Sequence, residues 1–303
     1  MRRPSPLPIG VDPAAFGIAE AKRLGVSRGR TRSTSLTVPY HGVRTTGQVR
    51  STLERAIAYS HWMAPTQFFS HLTAAELLGL RLPEGFRAGD LHVSSVPPSR
   101  APRSRGVIGH QASPLFALEA AYSLPVSSAI DTWLMLASSL SVDELTVMGD
   151  GLVSRLRPAT DVTGLASALA GAAGRRGLGR LISALKQIRP NTDSARETLL
   201  RLVVVRAGFP EPEVNGAIVN SFGATVAHGD LVFRDCRTIL EYDGGHHRAD
   251  ERQFNIDIDR LDQLMEEEWR VIRVNKNLMA RRATLLGKIE TALMRGGWMR
   301  DPN

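Results

Sequence analysis

The stretch from Thr225 to Asp243 limits the fold more than any other part of the chain. Residues 225–234 and 238–243 are rich in Val, Ile, Leu, Phe and Tyr and flank a short polar turn. That is the pattern of two strands joined as a hairpin. If Asp235-Cys236 makes a two-residue turn, Arg234 pairs with Arg237 and Asp230 lies directly opposite Glu241. Side chains alternate between the faces of a sheet, so Asp230, Glu241 and Asp243 then share one face.

Carboxylates facing one another across a hairpin repel and weaken the pairing. A bound cation reverses that penalty, and oxygen-only ligands favour a hard ion, Mg2+ or Mn2+, over zinc. Such an ion, held by Asp230, Glu241 and Asp243, suits phosphodiester hydrolysis. That reaction needs charge neutralised on a pentavalent phosphorus and a water made nucleophilic. Gly244-Gly245 follows directly and lets the backbone approach a phosphate without a Cβ in the way. His247 could then move a proton to or from water. Plainer readings stand beside these. Asp230 and Asp243 sit at strand ends, where aspartate commonly forms turns. Adjacent histidines after a Gly-Gly turn, His246 above all, are often exposed loop residues. Glu241 resists the plain reading because it interrupts an apolar strand, where an isolated carboxylate is costly.

The flanks of the hairpin supply the rest of a layered domain. Residues 194–206 read as a helix stopped by Gly208 and Pro210, and residues 213–221 as a strand. Residues 248–269 form a long amphipathic helix with Phe254, Ile258, Leu261 and Met265 on one face. Residues 270–275 make a further strand and residues 280–294 a last helix. The order is helix, three strands, helix, strand, helix. Ser194 and Glu197 fit a capping box, which alone accounts for that glutamate. Arg260 lies off the apolar stripe, placed to clamp a phosphate or to pair with Asp257 or Glu267.

Upstream, the chain divides into two less regular stretches. In the first, to about Gln111, residues 18–24 read as a short helix closed by Gly25. The basic run Arg28-Gly29-Arg30-Thr31-Arg32 and a strand-like 36–40 follow. Helix, basic turn and strand fit part of a winged helix-turn-helix, although Gly29 is a poor residue for a recognition helix and a solvated basic segment fits as well. Ser70 caps a helix ending near Pro83, and residues 91–94 alternate like a strand. The second stretch, residues 113–189, reads as helices, with a Gly/Ala-rich segment at 164–179 that fits small, loosely specified helices or a connector. Arg189-Pro190-Asn191-Thr192-Asp193 is the expected domain boundary. It separates an N-terminal region, 1–190, from a C-terminal domain, 191–303.

Composition bounds the partners. The net charge of +8 points toward polyanions, and Lys22, Lys186, Lys276 and Lys288 are the only lysines among the basic residues. Arginine suits bidentate phosphate contacts, while a GC-rich genome would produce the same bias. DNA is the expected partner. Nothing in the sequence separates DNA from RNA, since neither an aromatic stacking platform nor a ribonucleoprotein motif is present, and an RNA-processing nuclease stands as a further reading. Cutting both strands would need a homodimer or two separate nicks. No apolar run is long enough to span a bilayer, and the basic, Pro-rich start lacks a signal-peptide core. The single cysteine, Cys236, allows no internal disulfide and no zinc cluster of its own. A reduced, cytoplasmic setting is expected.

The segment 194–273 resembles uncharacterised bacterial domains related to the very-short-patch-repair endonucleases, a branch of the PD-(D/E)XK superfamily. The residues that carry the likeness are Glu197, Asp230, Glu241, Asp243, Gly244, His247, Arg260, Trp269 and Arg273. The resemblance implies an α/β domain, α+β over the whole chain, with a restriction-endonuclease-like αβββαβα core. It also implies a catalytic set of Glu197, Asp230, Glu241, Asp243, His247 and Arg260. Asp243 stands where the superfamily usually carries lysine, so the usual group that orients the attacking water is missing. The pieces Ser70–Leu80 and Ala129–Trp133 resemble the N-terminal part of abortive-infection-type antitoxins and regulators. They imply a mostly helical, winged-helix-like region. Two functions follow from these likenesses: a divalent-metal DNA endonuclease, or a catalytically inactive DNA-binding regulator that keeps the nuclease fold.

Overall fold

A computed structural model describes residues 6–86, 89–112, 116–243 and 260–300. The chain folds as two compact units, Met1–Ser139 and Leu140–Asn303, each a mixture of helices and sheets.

The first unit begins with β1 (Phe16–Gly17), α1 (Ile18–Arg23), α2 (Arg28–Thr31) and β2 (Val43–Arg44). Gly25, at φ +84°, closes α1, as a residue without Cβ can. The basic run forms the four-residue α2, capped by Ser27, which accepts from the backbone of Arg30. The strand expected at 36–40 is reduced to a single bridge between Thr37 and Thr45. Pro39, which lacks an amide hydrogen, cannot extend a ladder there.

Next come α3 (Thr52–Ser60), β3 (Gln67–Phe69), α4 (His71–Leu77), β4 (Leu91–Ser95), β5 (Val107–Gln111), β6 (Leu118–Ala121), β7 (Leu124–Ser127) and α5 (Ala129–Met135). The five strands form one sheet in the order β5-β4-β3-β7-β6. Phe69, Leu91, Val93 and Val126 of this sheet share a core with Ala56 and Tyr59 of α3 and Leu77 of α4. A five-stranded sheet thus stands beside the helices of this unit. The hairpin β6–β7 lies in a stretch read as helical, because Leu118, Glu119, Ala120 and Ala121 are good helix formers. Strand pairing wins there because β7 docks beside β3, with Phe69 opposite Val126. A tight turn at Tyr122 and Ser123, with φ +52° and +62°, reverses the chain without any Asn-Gly signal.

The second unit opens with α6 (Val142–Leu152), α7 (Val162–Ala170), α8 (Leu178–Gln187) and α9 (Ala195–Arg206). The punctuated segment 189–193 is tied into this layer. The amide of Arg189 donates to Asp150 Oδ1 at 2.7 Å, and Asp193 forms an ion pair with Arg155. Asp150 and Arg201 make a fully buried pair at 2.9 Å, which Thr198 joins through its hydroxyl.

Four strands follow: β8 (Glu213–Val219), β9 (Thr225–Phe233), β10 (Thr238–Tyr242) and β11 (Arg270–Val274). Their order is β11-β10-β9-β8. β8, β9 and β10 run antiparallel, and β10 pairs parallel with β11. Helix α10, whose described part is residues 260–266, precedes β11. Helices α11 (Lys276–Ala280) and α12 (Arg282–Arg295) follow it. One face of the sheet, with Leu231, Phe233 and Leu240, packs on Leu200 and Val204 of α9 and Leu285 and Ile289 of α12. The other, with Ile218, Val232 and Ile239, packs on Leu264 of α10. Leu264 is buried while Met265 is 70% exposed, which corrects the stripe expected on that helix. Phe254 and Ile258 lie outside the described residues. Among the described residues no helix is long and apolar enough to cross a membrane.

Candidate functional site

Two polar clusters have the chemistry of a site, one in each unit.

The carboxylate cluster belongs to the second unit. β9 and β10 pair with Phe233 opposite Thr238 and Leu231 opposite Leu240. The connection is a short 3-10 turn at Arg234–Cys236 followed by Arg237 in the left-handed region, longer than the two-residue turn expected but in the same register. Val232 and Ile239 face α10. By strand alternation Glu241, two residues beyond Ile239, belongs to that face; at Asp230 the alternation is broken, because a Cβ on its neighbour Gly229 would also point at Ile239 and Val232. Gly229 is required beside them, since a Cβ there would lie 2.5 Å from Ile239 Cγ2.

Asp230 Oδ2 accepts the backbone N–H of Tyr242 at 2.7 Å. Its pKa is nevertheless pushed up to about 7. Burial is the largest cause, the negative charges of Glu197 and Glu241 add to it, and Arg260 opposes it. Glu197, only 6% exposed, does more than cap α9. The hydroxyl of Ser194 accepts from the Glu197 amide at 3.2 Å. In turn Glu197 Oε2 accepts from the Asp193 amide at 2.8 Å and from Asn215 Nδ2 at 3.3 Å.

Cations complete the cluster. Arg260 Nη2 donates to Glu241 Oε1 and to the carbonyl of His228 at 2.6 Å. The partner of Arg260 is therefore a carboxylate of the cluster, not Glu267. Arg273 Nε lies 3.9 Å from Glu241 Oε2, and the guanidinium of Arg196 sits over the Tyr242 ring. The amide of Asp243 donates to the carbonyl of Val274 at 2.8 Å, extending the β10–β11 pairing by one bond. Gly244, His246, His247 and Asp257 lie outside the described residues. Beside the cluster, β11 and α12 line a groove that carries Arg270, Arg273, Lys288 and Arg295 and no acidic residue among its lining.

Sequence reasoning missed Asn215. It adopts φ +50° in a gap of the ladder between the pairs Val214–Leu231 and Gly216–Gly229. Asparagine tolerates that conformation better than most residues. Nothing in the sequence pattern marks the irregularity.

The second cluster, in the first unit, was also missed. His71 starts α4, His92 lies on β4 and His110 on β5. β4 and β5 run parallel, with His92 opposite Ile108 and Ser94 opposite His110. His92 Nδ1 lies 2.9 Å from His110 Nε2. The His71 ring stacks on His110, with centroids 3.8 Å apart. One ring nitrogen from each histidine lies within 4.8 Å of the others. The three can therefore coordinate a metal ion, and among the described residues they are the group of three with that spacing. Burial holds His92 down to about 4 and lowers His110, so both rings are uncharged at neutral pH and offer lone pairs. The sequence intervals, 21 residues and then 18, match no metal motif. The cluster is assembled entirely by tertiary pairing.

A scan against protein-family models finds no match to the chain, and a search of curated proteins finds none either.

Proposed function

We propose that the protein is a divalent-metal-dependent DNA endonuclease that hydrolyses phosphodiester bonds at the carboxylate cluster of the second unit. The observation that carries this reading is Asp230, whose carboxyl is pushed up to about 7 by burial and by Glu197 and Glu241. The negative charges of Glu197 on α9 and Glu241 on β10 disfavour ionisation of the buried Asp230, a cost that a cation drawn between them would remove; the three carboxylates do not stand at metal-ligand spacing as the three histidines do. The carboxylate oxygens suit Mg2+ or Mn2+. When bound, such an ion supplies charge neutralisation at phosphorus and an acidified water.

The roles of the chain's own residues follow from their chemistry. Asp230 and Glu241 hold the ion, and Asp243 adds a ligand or positions water. His247 serves as acid/base by the resemblance described above. Glu197 fixes the local field and braces Asn215. The groove cations Arg270, Arg273, Lys288 and Arg295 hold the DNA backbone by phosphate contacts. From α9 onward the second unit runs helix, three strands, helix, strand and two helices, an order that supports reading it as a restriction-endonuclease-like core. In this reading the basic first unit brings the enzyme to DNA. The test is plasmid incubation with Mg2+ or Mn2+. Wild type is expected to nick or linearise the DNA, and Asp230→Ala to do so at least about 100-fold more slowly. Equal, undamaged plasmid for both proteins under every metal overturns the proposal.

One observation favours a second reading. Arg260 already places a positive charge on Glu241, and no lysine stands at the third signature position. A carboxylate neutralised by its own chain needs no ion. The protein would then be a catalytically inactive DNA-binding regulator, akin to antitoxin-like proteins. Its expected signature is a tight gel shift that weakens steeply with salt and no cleavage with either metal.

A further inference from the structure

We propose that the first unit binds a zinc-class divalent ion on His71, His92 and His110. The site is independent of the carboxylate cluster and opposite to it in metal preference.

The donor set decides the class of ion. Three imidazoles and no carboxylate suit borderline ions such as Zn2+ or Co2+, whereas Mg2+ and Ca2+ require oxygen. With zinc–nitrogen bonds of about 2.0–2.1 Å, two nitrogens on one tetrahedral ion sit about 3.3 Å apart. The 2.9 Å between His92 Nδ1 and His110 Nε2 needs to widen by only a few tenths of an ångström. One of those two nitrogens carries the shared proton. Coordination moves that proton to the outer nitrogen of the same ring and turns a donor–acceptor pair into two lone pairs aimed at the ion. His71 supplies the third ligand, leaving a fourth position open for water or another ligand.

The surroundings are built to hold the rings. His71 adopts φ +50°, a conformation that a non-glycine residue keeps only when its neighbours enforce it. Here they do. The amide of Ser70 donates to the carbonyl of His92 at 3.0 Å. Ser70 Oγ lies 3.0 Å from His71 Nδ1 and accepts from Ser94 Oγ at 2.8 Å. The amide of His92 donates to Thr73 Oγ1 at 2.8 Å. Hydroxyl contacts of this kind orient ligating imidazoles in metal sites. They also tie the first turn of α4 to β4, so the rings are presented from rigid elements, and His71, stacked on His110, turns its ring to aim a nitrogen at the shared ion.

The experiment uses the full chain, stripped with a chelator and then titrated with Zn2+, Co2+ or Mg2+. One equivalent of Zn2+ per chain is expected. Co2+ should give the visible d–d absorption of a nitrogen-ligated ion, and Mg2+ should not displace it. His92→Ala and His110→Gln should each weaken Zn2+ uptake at least about tenfold, while Asp230→Asn leaves it unchanged. His110→Gln keeps a polar partner for His92, which guards against simple loss of folding. Histidine ring signals in the NMR spectrum of the wild type give a second readout that needs no variant. Failure to take up Zn2+, uptake equal in wild type and both histidine variants, or ring signals of His71, His92 and His110 unmoved by Zn2+ would each overturn the proposal.

Discussion

The two polar clusters solve the problem of burying polar side chains in opposite ways. In the second unit the buried groups are ionic: Asp150 against Arg201, and Glu197, Asp230 and Glu241 against Arg260 and Arg273. In the first unit they are neutral: three imidazoles and the hydroxyls of Ser70, Thr73 and Ser94. Charges taken out of water need a counter-charge, and losing one partner leaves the other stranded. Neutral hydrogen-bonding groups lose less when a partner goes. One unit is therefore tense unless every charge is balanced, and the other tolerates change.

The largest expected effect tests the ionic side. Arg201→Met leaves Asp150, which is fully buried, without its counter-charge, and should destabilise the second unit by about 3–5 kcal/mol. Ser94→Ala removes one neutral hydrogen bond in the first unit and should cost about 1 kcal/mol. Chemical denaturation, with hydrogen exchange to assign the loss to a unit, measures both. Similar costs for the two substitutions would erase the contrast.

Asp230 gives the next effect, with the opposite sign. Its folded pKa of about 7 lies above the unfolded value of about 4. The folded chain therefore holds the proton more tightly. Stability from this group is full below pH 4 and is lost as pH rises through 7. In protein freed of divalent ions, Asp230→Asn keeps an acceptor for the Tyr242 amide and removes the cost of ionisation. It should raise stability at pH 8 by about 2–4 kcal/mol and flatten the pH dependence between 4 and 7. Denaturation midpoints across that range check it, and an unchanged slope would count against strain at this carboxylate.

Arg260 sharpens the comparison further. If its guanidinium competes with a cation for Glu241, Arg260→Gln should strengthen Mn2+ binding at the carboxylates about tenfold, roughly 1.4 kcal/mol. Zinc uptake by the histidines should not change. Calorimetric titration of the two metals reads both. Weaker Mn2+ binding in the variant would instead make Arg260 a support of the site.

What sequence could reveal divides along the same line. The register of β9 on β10 was legible because a hairpin is local: the pattern from Thr225 to Asp243 sets Leu231 opposite Leu240 once the turn is drawn. The strand order β8–β9–β10 was readable for the same reason. The partner of Arg260 was not, because Glu241 sits on β10, which meets α10 only through tertiary packing, and helical spacing suggests only Asp257 or Glu267. The histidines were not legible either. Their convergence needs the parallel pairing of β4 with β5, which no short window of sequence encodes. The β6–β7 hairpin was hidden by helix-forming residues whose preference is overridden by docking beside β3. Nor does any sequence rule pair Asp150 with Arg201 across two helices.

The smallest effect is one in which the two units should behave alike. Ser51 and Ser141 each start a helix with a reciprocal capping box, closed by Glu54 on α3 and Glu144 on α6. In both, the serine hydroxyl accepts from the third helical amide and the glutamate reaches back to the amide of the serine. The groups are exposed, so solvent replaces whatever is removed, and the ionic or neutral character of the interior has no bearing. Ser51→Ala and Ser141→Ala should each cost about 1 kcal/mol, measured by denaturation of the single variants. If one cap proved several times costlier than the other, the difference between the units would lie in their helices rather than in the polar groups they bury.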